Sequence, residues 1–576
     1  MCGIFAILDG PDSKGTIQDH SSRAKLLLQR LIHRGPDGHG FHCSQYGWLG
    51  HCRLAVVDPQ GGKQPFVDGS LCWIANGEIF NHAELRTSLD RRLDSQSDCA
   101  VIGPLWKKLG DCMPHALDGQ FALVALDETT GAWIAARDQV GICPLFMGRH
   151  RDGTIWFASE LKSLVDDCDQ VEIVQPGTAW KFDGHQLQKV TWYRPSWILD
   201  PNVPDGLPEM DELRKRLIGA VSKRLMSDAP FGFLLSGGLD SSLIASIAVR
   251  LKTEHSGCRA ASKEIHTFSL GLPGAPDLAA ARSVADFLGT THHEFHFTLK
   301  EAIEAVPKVA WHMETVEQIR TAVPTYLLSM RVRELGFKMV LSGEGADEIF
   351  GGYLYFHRAP DPQALFEETV RKVTRLHQFD VARADRAPMA CGLEVRFPFL
   401  DRDLMDFVMS IDPKHKMVDA TKRPDGRHSQ MEKYLLRKAF DSAGSIKWLP
   451  EEVLWRQKEQ FSDGIGYAWV DYLRQHSAGR LTTSEWERRE NRFPIATPRT
   501  PEQYWMRELF DNHFVANRPG GSSAASLLPD GRSLACSTPE ALSWDPNWQS
   551  LTADISGRTM AGIHLAATPP SGIVAI

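Results

Sequence analysis

A chain of 576 residues is longer than one hydrophobic core sustains, so two or three domains are expected. Its composition, 43% hydrophobic and 24% charged with 47 glycines and 33 prolines, excludes a collagen-like or largely disordered chain. Seventy-two acidic against 64 basic residues give a formal charge of −8, which removes the basic footprint of a nucleic-acid binder. Apolar runs such as 121–126 fall far short of the ~18 residues of a membrane span. The opening Met1-Cys2-Gly3-Ile4-Phe5 lacks the features of a secretory signal, and eleven cysteines without a framework fit a reducing compartment. These bounds leave a cytoplasmic multidomain enzyme, with neither nucleic acid nor membrane as partner.

Up to about Arg194, short runs rich in Val, Ile, Phe and Trp predict strands at 3–8, 53–57, 71–75, 121–126, 133–136 and 154–158. Helical stretches at 21–32 and 98–109 interrupt them, which points to an α+β domain of two layered sheets with helices outside. The proline-punctuated stretch 197–208 reads as a linker. Beyond it Leu213, Leu217, Val221 and Leu225, spaced by four, predict an amphipathic helix over 211–226. Strand and helix then alternate: strands at 231–235, 265–270, 294–297 and 338–341, helices at 243–252, 277–288 and 325–335. That alternation implies parallel βαβ units, hence a doubly wound α/β sheet that binds ligands at the C-terminal ends of its strands. After about Asn517 the Gly-, Ser- and Pro-rich chain reads as a mobile tail.

Cys2 directly follows the initiator methionine. Removing Met1 leaves a thiol and an α-amine of pKa about 7.7–8.0 on one residue, nucleophile and base together. Arg53 can grip a carboxylate with a bidentate fork, while Glu78 and Asp98 can pair with an ammonium group. Asn76 and the amide of Gly77 can donate to an oxyanion. Each alone reads as a surface charge or turn residue; together they supply what a free amino acid needs.

The strand at 231–235 runs into Ser236-Gly237-Gly238-Leu239-Asp240-Ser241-Ser242 and then an apolar helix. Glycines let amides and hydroxyls face an anion, and a helix N-terminus adds its positive end. The Gly-Lys-Ser/Thr of a Walker A loop is missing, so a metal must share the neutralisation, and Asp240 is placed to hold Mg2+. A second loop, Ser342-Gly343-Glu344-Gly345-Ala346-Asp347-Glu348, packs three acids into five residues, which a metal or acid/base role would justify. Lys458, in Arg456-Gln457-Lys458, could reach a pyrophosphate or a charged intermediate. Neither His292, Glu294 and His296 nor His39, His42, Cys43, His51 and Cys52 has a zinc spacing; packed or solvated histidines are expected.

Cys2-Gly3-Ile4, His33-Arg34-Gly35-Pro36-Asp37, Asn76-Gly77-Glu78 and Ala136-Arg137-Asp138 through Phe146 resemble the class II glutamine amidotransferase domain, an N-terminal-nucleophile αββα sandwich. The loops at 236–242 and 342–348, with 269–278, 351–357, 392–401 and Phe493-Pro494, resemble the PP-loop ATP-pyrophosphatase domain of asparagine synthetases. Ala535-Cys536-Ser537 with Trp544-Asp545 is similar to the end of the bacterial, type B glutamine-dependent members. The resemblance implies a glutaminase domain at 2–194, a linker at 195–210, a synthetase domain at 211–516 and a tail at 517–576. It implies that Cys2 forms a thioester with glutamine and releases ammonia, with Arg53, Leu54, Ala55, Val56, Val57, Asn76, Gly77, Glu78 and Asp98 as the glutamine pocket. It places ATP on Leu235, Ser236, Gly237, Gly238, Asp240, Ser241, Leu270, Ser342 and Gly343, with Leu235 and Leu270 at adenine. Glu344 serves a β-aspartyl-AMP intermediate, Lys458 the adenylation step, and Asp240 and Asp347 hold Mg2+. The substrates so implied are L-glutamine, L-aspartate and ATP, and the candidate assembly is a homodimer.

The sequence departs from the pattern at Ala136, where Gly is expected, and at Ala346, where Ser is expected. Glu314 through Arg320 is shorter than expected and puts Glu317 where hydroxyls should border the aspartate or phosphate site. Two other readings share features with this one. A cyclase resembling β-lactam synthetase would lack the nucleophile and glutamine pocket, both present here, and a non-catalytic paralogue draws support only from 316–318.

Overall fold

The computed structural model describes the chain except for residues 90–91, 201, 255–263, 420, 425, 427, 442–445, 459–463, 530–535 and 550–576. The first 191 residues build two antiparallel six-stranded sheets. One runs in the order Cys168–Ile173, Phe146–His150, Ile155–Ala158, Gly3–Leu8, Gly47–Arg53, Gly38–Cys43. The other runs Leu187–Thr191, Thr178–Phe182, Trp133–Arg137, Gly119–Asp127, Leu71–Ile79, Phe66–Asp68.

Side-chain alternation explains the layers. Cys72, Ile74, Ala122, Val124, Leu126 and Ala135 turn inward with Trp133, which meets Phe157 of the facing sheet at 5.5 Å. Their neighbours Trp73, Ala75, Phe121, Leu123, Ala125 and Ile134 turn outward beneath Ile102 and Leu105 of the helix Ile102–Leu109. Every position of the strands Gly3–Leu8, Gly47–Arg53 and Leu71–Ile79 is therefore buried on one face or the other, and each large side chain so enclosed contributes about 1.5–3 kcal/mol. The expected two-layer domain with outer helices is this αββα sandwich. One expectation fails locally: 53–57 is not a strand, because the strand ends at Arg53 and the apolar Leu54–Val57 leaves it as a loop.

The second half holds a parallel five-stranded sheet in the order Thr291–His296, His266–Gly271, Phe231–Leu234, Met339–Leu341, Glu394–Arg396. By position in the chain that order is 3-2-1-4-5. It reverses between Phe231–Leu234 and Met339–Leu341, the point at which a doubly wound sheet opens a ligand crevice. Both anion-facing loops foreseen in the sequence leave from these two strands.

The halves are joined by buried charge. The helix Leu299–Met313 begins in a capping box between Thr298 and Glu301 and ends at Glu314, whose φ of 51° is left-handed. That conformation costs a non-glycine residue about 1–2 kcal/mol. It turns the Glu314 carboxylate back to accept from the amides of Leu161 and Lys162 at 2.7 and 2.8 Å, across the domain boundary. The linker is pinned as well: Trp197 is buried and donates to Asp406 at 2.8 Å.

The start of the tail is not loose. Gly520 donates to the Val165 carbonyl at 3.1 Å, and the helix Gly521–Ser526 lies on strand Cys168–Ile173 through a Val171–Ser523 bond of 3.0 Å. Its small residues allow this approach, with Ala524 and Ala525 buried. The rest of that expectation, from 530 to 535 and beyond 549, lies outside the described residues, as does Ala535.

Candidate active sites and family

Cys2 opens the strand Gly3–Leu8 and is held from three sides. Its amide donates to Asn76 Oδ1 at 2.6 Å, its Sγ receives the Leu54 amide at 3.4 Å, and its carbonyl accepts from Arg34 Nε at 3.0 Å. Asn76 lies within the strand Leu71–Ile79 rather than after it, so its side chain has a fixed direction. With Oδ1 committed to Cys2, Asn76 Nδ2 is left buried and without a partner among the described residues. An amide donor of that kind beside a thiol is what a tetrahedral oxyanion requires. Burial pushes the Cys2 thiol up, opposed by the nearby amino group and the Leu54 amide.

Arg53 is tethered to the loop it starts, donating to the carbonyls of Pro59 at 2.9 Å and Asp58 at 2.5 Å. That loop leans on the second domain: Asp228 donates its amide to the Val56 carbonyl at 2.9 Å, and Asp37, which holds the Ala55 amide, pairs with Lys338 at 2.7 Å. Asp98 accepts from the Ile79 amide at 2.7 Å. Burial and the neighbouring Asp98 push Glu78 up to about 7, against the pull of Arg396 at 3.2 Å. Of the expected pocket residues, Asn76 and Leu54 bond Cys2 directly and Glu78 and Arg53 act on its thiol by charge, and Arg34, quoted only as part of a turn, joins them. Its other guanidinium nitrogens bind Glu160 at 3.1 Å and both oxygens of Asp385 at 3.0 Å. The Met1 amine, buried behind Cys2, pairs with Glu394.

The second site is the cleft at the sheet's reversal, lined by both loops. Ser236, Gly238, Asp240 and Ser241 meet Ser342, Gly343, Glu344 and Asp347 there, with Leu235, Phe268 and Leu270 at one apolar side and Lys458 facing them. The loops touch at Gly343, where an added Cβ would come 2.7 Å from the Ser241 amide. Gly237 does not line the cleft; with φ +73° it turns against Ala280, whose backbone would lie 2.5 Å from a Cβ. Of the three crowded acids, Asp347 stands with the cations, while Glu344 and Glu348 come within 4.8 Å of each other and of Asp380. Asp347 bonds Lys433 at 2.7 Å and Lys458 at 2.5 Å, and these two cations outweigh burial and hold it well below the usual carboxylate range. Glu344 pairs with Arg383 at 2.5 Å, although burial pushes it up overall. Glu348 turns inward to the hydroxyl of Tyr353 at 2.6 Å.

A family model described as asparagine synthase matches residues 212–366 and 360–530, and one described as a glutamine amidotransferase domain matches residues 1–189. Asparagine synthetase [glutamine-hydrolyzing] 3 of Arabidopsis thaliana is 46% identical over 577 residues, 98% of this chain and 96% of its own. Asparagine synthetase 2 of the same plant is 45% identical over 573 residues, 98% of this chain and 96% of its own. The Asparagus officinalis enzyme is 44% identical over 578 residues, 99% of this chain and 94% of its own.

The chain belongs to the asparagine synthetase family.

Within this family member, Lys433 is the cleft residue that sequence reading missed. It bridges Asp240 and Asp347 at 2.7 Å each, yet it sits in a stretch with no motif and with a left-handed φ of 57°. Arg383 and Asp380, on the helix Asp380–Met389, also line the cleft. Asp385 on the same helix binds Arg34, so one helix touches both sites.

The Glu314–Arg320 segment borders the cleft only through Gln318. Arg320 forms a bidentate pair with Glu502 at 2.9–3.1 Å, away from the cleft. Glu317 faces a separate small cavity with Thr497 and Arg499, and burial and Glu502 push it up to about 7. Hydroxyls do face the cleft, from Thr321 and Thr325 of helix Ile319–Glu334. The Ala136-Arg137-Asp138 motif is a brace: Arg137 donates to the carbonyls of Gly141, Cys143 and Val174 at 2.6–2.9 Å.

Proposed function

We propose that this chain is a glutamine-hydrolysing asparagine synthetase, converting ATP, L-aspartate, L-glutamine and water to AMP, diphosphate, L-asparagine and L-glutamate. A carboxylate oxygen is too poor a leaving group for ammonia to displace, so the acceptor must first be activated. In the first site the Cys2 sulfur attacks the carboxamide carbon, the oxyanion takes the free Nδ2 of Asn76, and ammonia leaves with a proton carried by the α-amine freed on removal of Met1. Water then cleaves the thioester to glutamate. In the cleft an aspartate β-carboxylate oxygen attacks the α-phosphorus and diphosphate leaves past Lys458 and Lys433. Ammonia attacks the resulting β-aspartyl-AMP and expels AMP. Glu344, poised against Arg383, is placed to take a proton from the incoming ammonia.

The observation that carries this reading is the strand Glu394–Arg396. Glu394 lies at the amino terminus, pairing with the Met1 amine while Met1 is present, Arg396 pairs with Glu78, and Val395 lines the cleft while its carbonyl accepts from Gln120 at 3.1 Å. One strand is therefore the partition between the two chemistries, the arrangement a dry transfer of neutral ammonia needs.

Asp240 and Asp347 fit a magnesium ion: Asp240 Oδ1 is buried without a partner among the described residues, and hard dications favour carboxylate and phosphate oxygens. Bound there, Mg2+ would neutralise the phosphate charge. The same proposal includes the division into 2–194, 195–210, 211–516 and 517–576, a homodimeric assembly, a cytoplasmic location and a bacterial-type character resting on 535–545. No helix among the described residues is long and apolar enough to cross a membrane.

Diphosphate release in the presence of glutamine, ATP and Mg2+ should require aspartate and yield asparagine; release indifferent to aspartate sinks the proposal. The variant Cys2→Ala should lose glutamine-dependent synthesis by about 10³-fold or more while retaining synthesis from ammonium salts.

A further inference from the structure

The segment after residue 535 has its own seat on the synthetase domain. Glu368 is wholly buried, and four donors converge on its carboxylate. Two come from its own neighbourhood: Tyr355 at 2.9 Å and Arg371 at 3.0 Å. The other two come from Thr538, whose amide donates at 3.1 Å and whose hydroxyl donates at 2.5 Å. A buried carboxylate short of donors is costly, so this is a built site for Thr538 rather than an incidental contact. Beside it Ala541, Leu542 and Trp548 pack on Leu354, Tyr355 and Phe356, and Trp544 lies 6.0 Å from the Tyr355 ring. Ion pairs of 3.5 Å from Arg358 to Asp545 and from Arg375 to Glu540 flank the seat.

This seating reaches the cleft. Cys536 lines it next to Tyr353, Asp380 and Arg383, the residues around Glu344. The Cys536 carbonyl accepts from Lys372 at 3.2 Å, and Lys372 lies 3.5 Å from Asp380 and 4.9 Å from the Tyr353 ring. Lys372 is behind the cleft wall, not on it, so it acts through Asp380.

We propose that residues 536–548 are the wall of the acceptor subsite: anchored on Glu368 by Thr538, they hold Lys372 and thereby orient Asp380 toward the acceptor's α-ammonium group. Thr538 and Lys372 are positioning residues in this scheme. The identity of the acceptor, a small amino dicarboxylate, rests on the function proposed above.

The test uses full-length Thr538→Val, Thr538→Ser and Trp544→Ala, together with a chain ending at residue 535. Diphosphate release is measured with ammonium chloride as nitrogen source, and glutamine hydrolysis is measured without ATP. The KM for aspartate should rise about tenfold in T538V, W544A and the shortened chain, with the KM for ATP within about twofold of wild type. T538S, which keeps the hydroxyl, should restore the aspartate KM, and glutamine hydrolysis should be unchanged throughout. An unchanged aspartate KM in T538V and W544A overturns the proposal. So does a parallel rise of both KM values with loss of glutamine hydrolysis, which marks general structural damage. Failure of the wild-type protein to require aspartate strikes the assigned function instead, and is read from a separate arm.

Discussion

Gln120 donates its side-chain amide to the main-chain carbonyl of Val395 at 3.1 Å, joining residues 275 apart in sequence. On the function proposed above, the bond spans the partition between the nucleophile's pocket and the nucleotide cleft, where an intruding water would protonate ammonia. A single such bond contributes about 0.5–1.5 kcal/mol to stability, too little to unfold the protein if lost. Gln120→Leu should therefore fold, yet lose nitrogen on the way across. The glutamate formed should exceed the asparagine formed, whereas the two should match in the wild type; equal amounts in the variant would show that this bond seals nothing.

Asn76 offers a sharper test of the first site. Its Oδ1 fixes Cys2 and its Nδ2 stays available. Removing one oxyanion donor costs about 10²–10³ in kcat. Asn76→Ala should fall by that amount in glutamine hydrolysis while ammonium-dependent synthesis persists. A variant that loses both activities together would assign Asn76 to folding.

Lys433 joins two carboxylates with its side chain 2% exposed. Taking away one member of a buried ion pair costs about 3–5 kcal/mol, and less here because Asp240 and Asp347 are partly open to the cleft. Lys433→Met should lower diphosphate release at least about 100-fold and leave glutamine hydrolysis intact, since the first site touches none of these groups. Full synthetase activity in this variant would return Lys433 to a merely structural role.

Glu348 gives a pH signature. Burial and the adjacent Asp380 push its carboxyl from 4.5 up to about 8, so the folded protein keeps a proton that the unfolded chain releases. Its stabilising contribution is whole below pH 4.5 and is lost as pH rises to about 8. The loss is at most about 1.4 kcal/mol per pH unit. Glu348→Gln keeps an acceptor for the Tyr353 hydroxyl and removes the titration. Melting temperature should decline less between pH 5 and 8 in this variant than in the wild type; parallel curves would refute the assignment.

Much of this was legible in the amino-acid string because the chemistry is local. Cys2, the Asn76-Gly77-Glu78 triplet and the two loops at strand ends each announce themselves within a few residues, and the doubly wound order follows from strand–helix alternation. The Leu54–Val57 loop misled because its apolar residues serve a pocket and a domain contact, not a sheet. Lys433 was invisible because its role depends on two acids 193 and 86 residues away. Glu317 and Arg320 show the converse: the family pattern set this segment beside the acceptor site and Glu317's charge counted against it, and in the fold Arg320 pairs with Glu502 while Glu317 sits beside Arg499. The docking of Thr538 could not be foreseen either, since the buried Glu368 that demands it looks like any helical glutamate in sequence.

The three residues Glu394 to Arg396 also bear on the history of the chain. Arg396 is held by Glu394 of its own strand at 2.7 Å and by Glu78 of the opposite half at 3.2 Å. Split into two separately translated polypeptides, the halves would each expose one side of the Glu78–Arg396 pair at the broken face. A split gene would thus have to satisfy these two charges anew in each half.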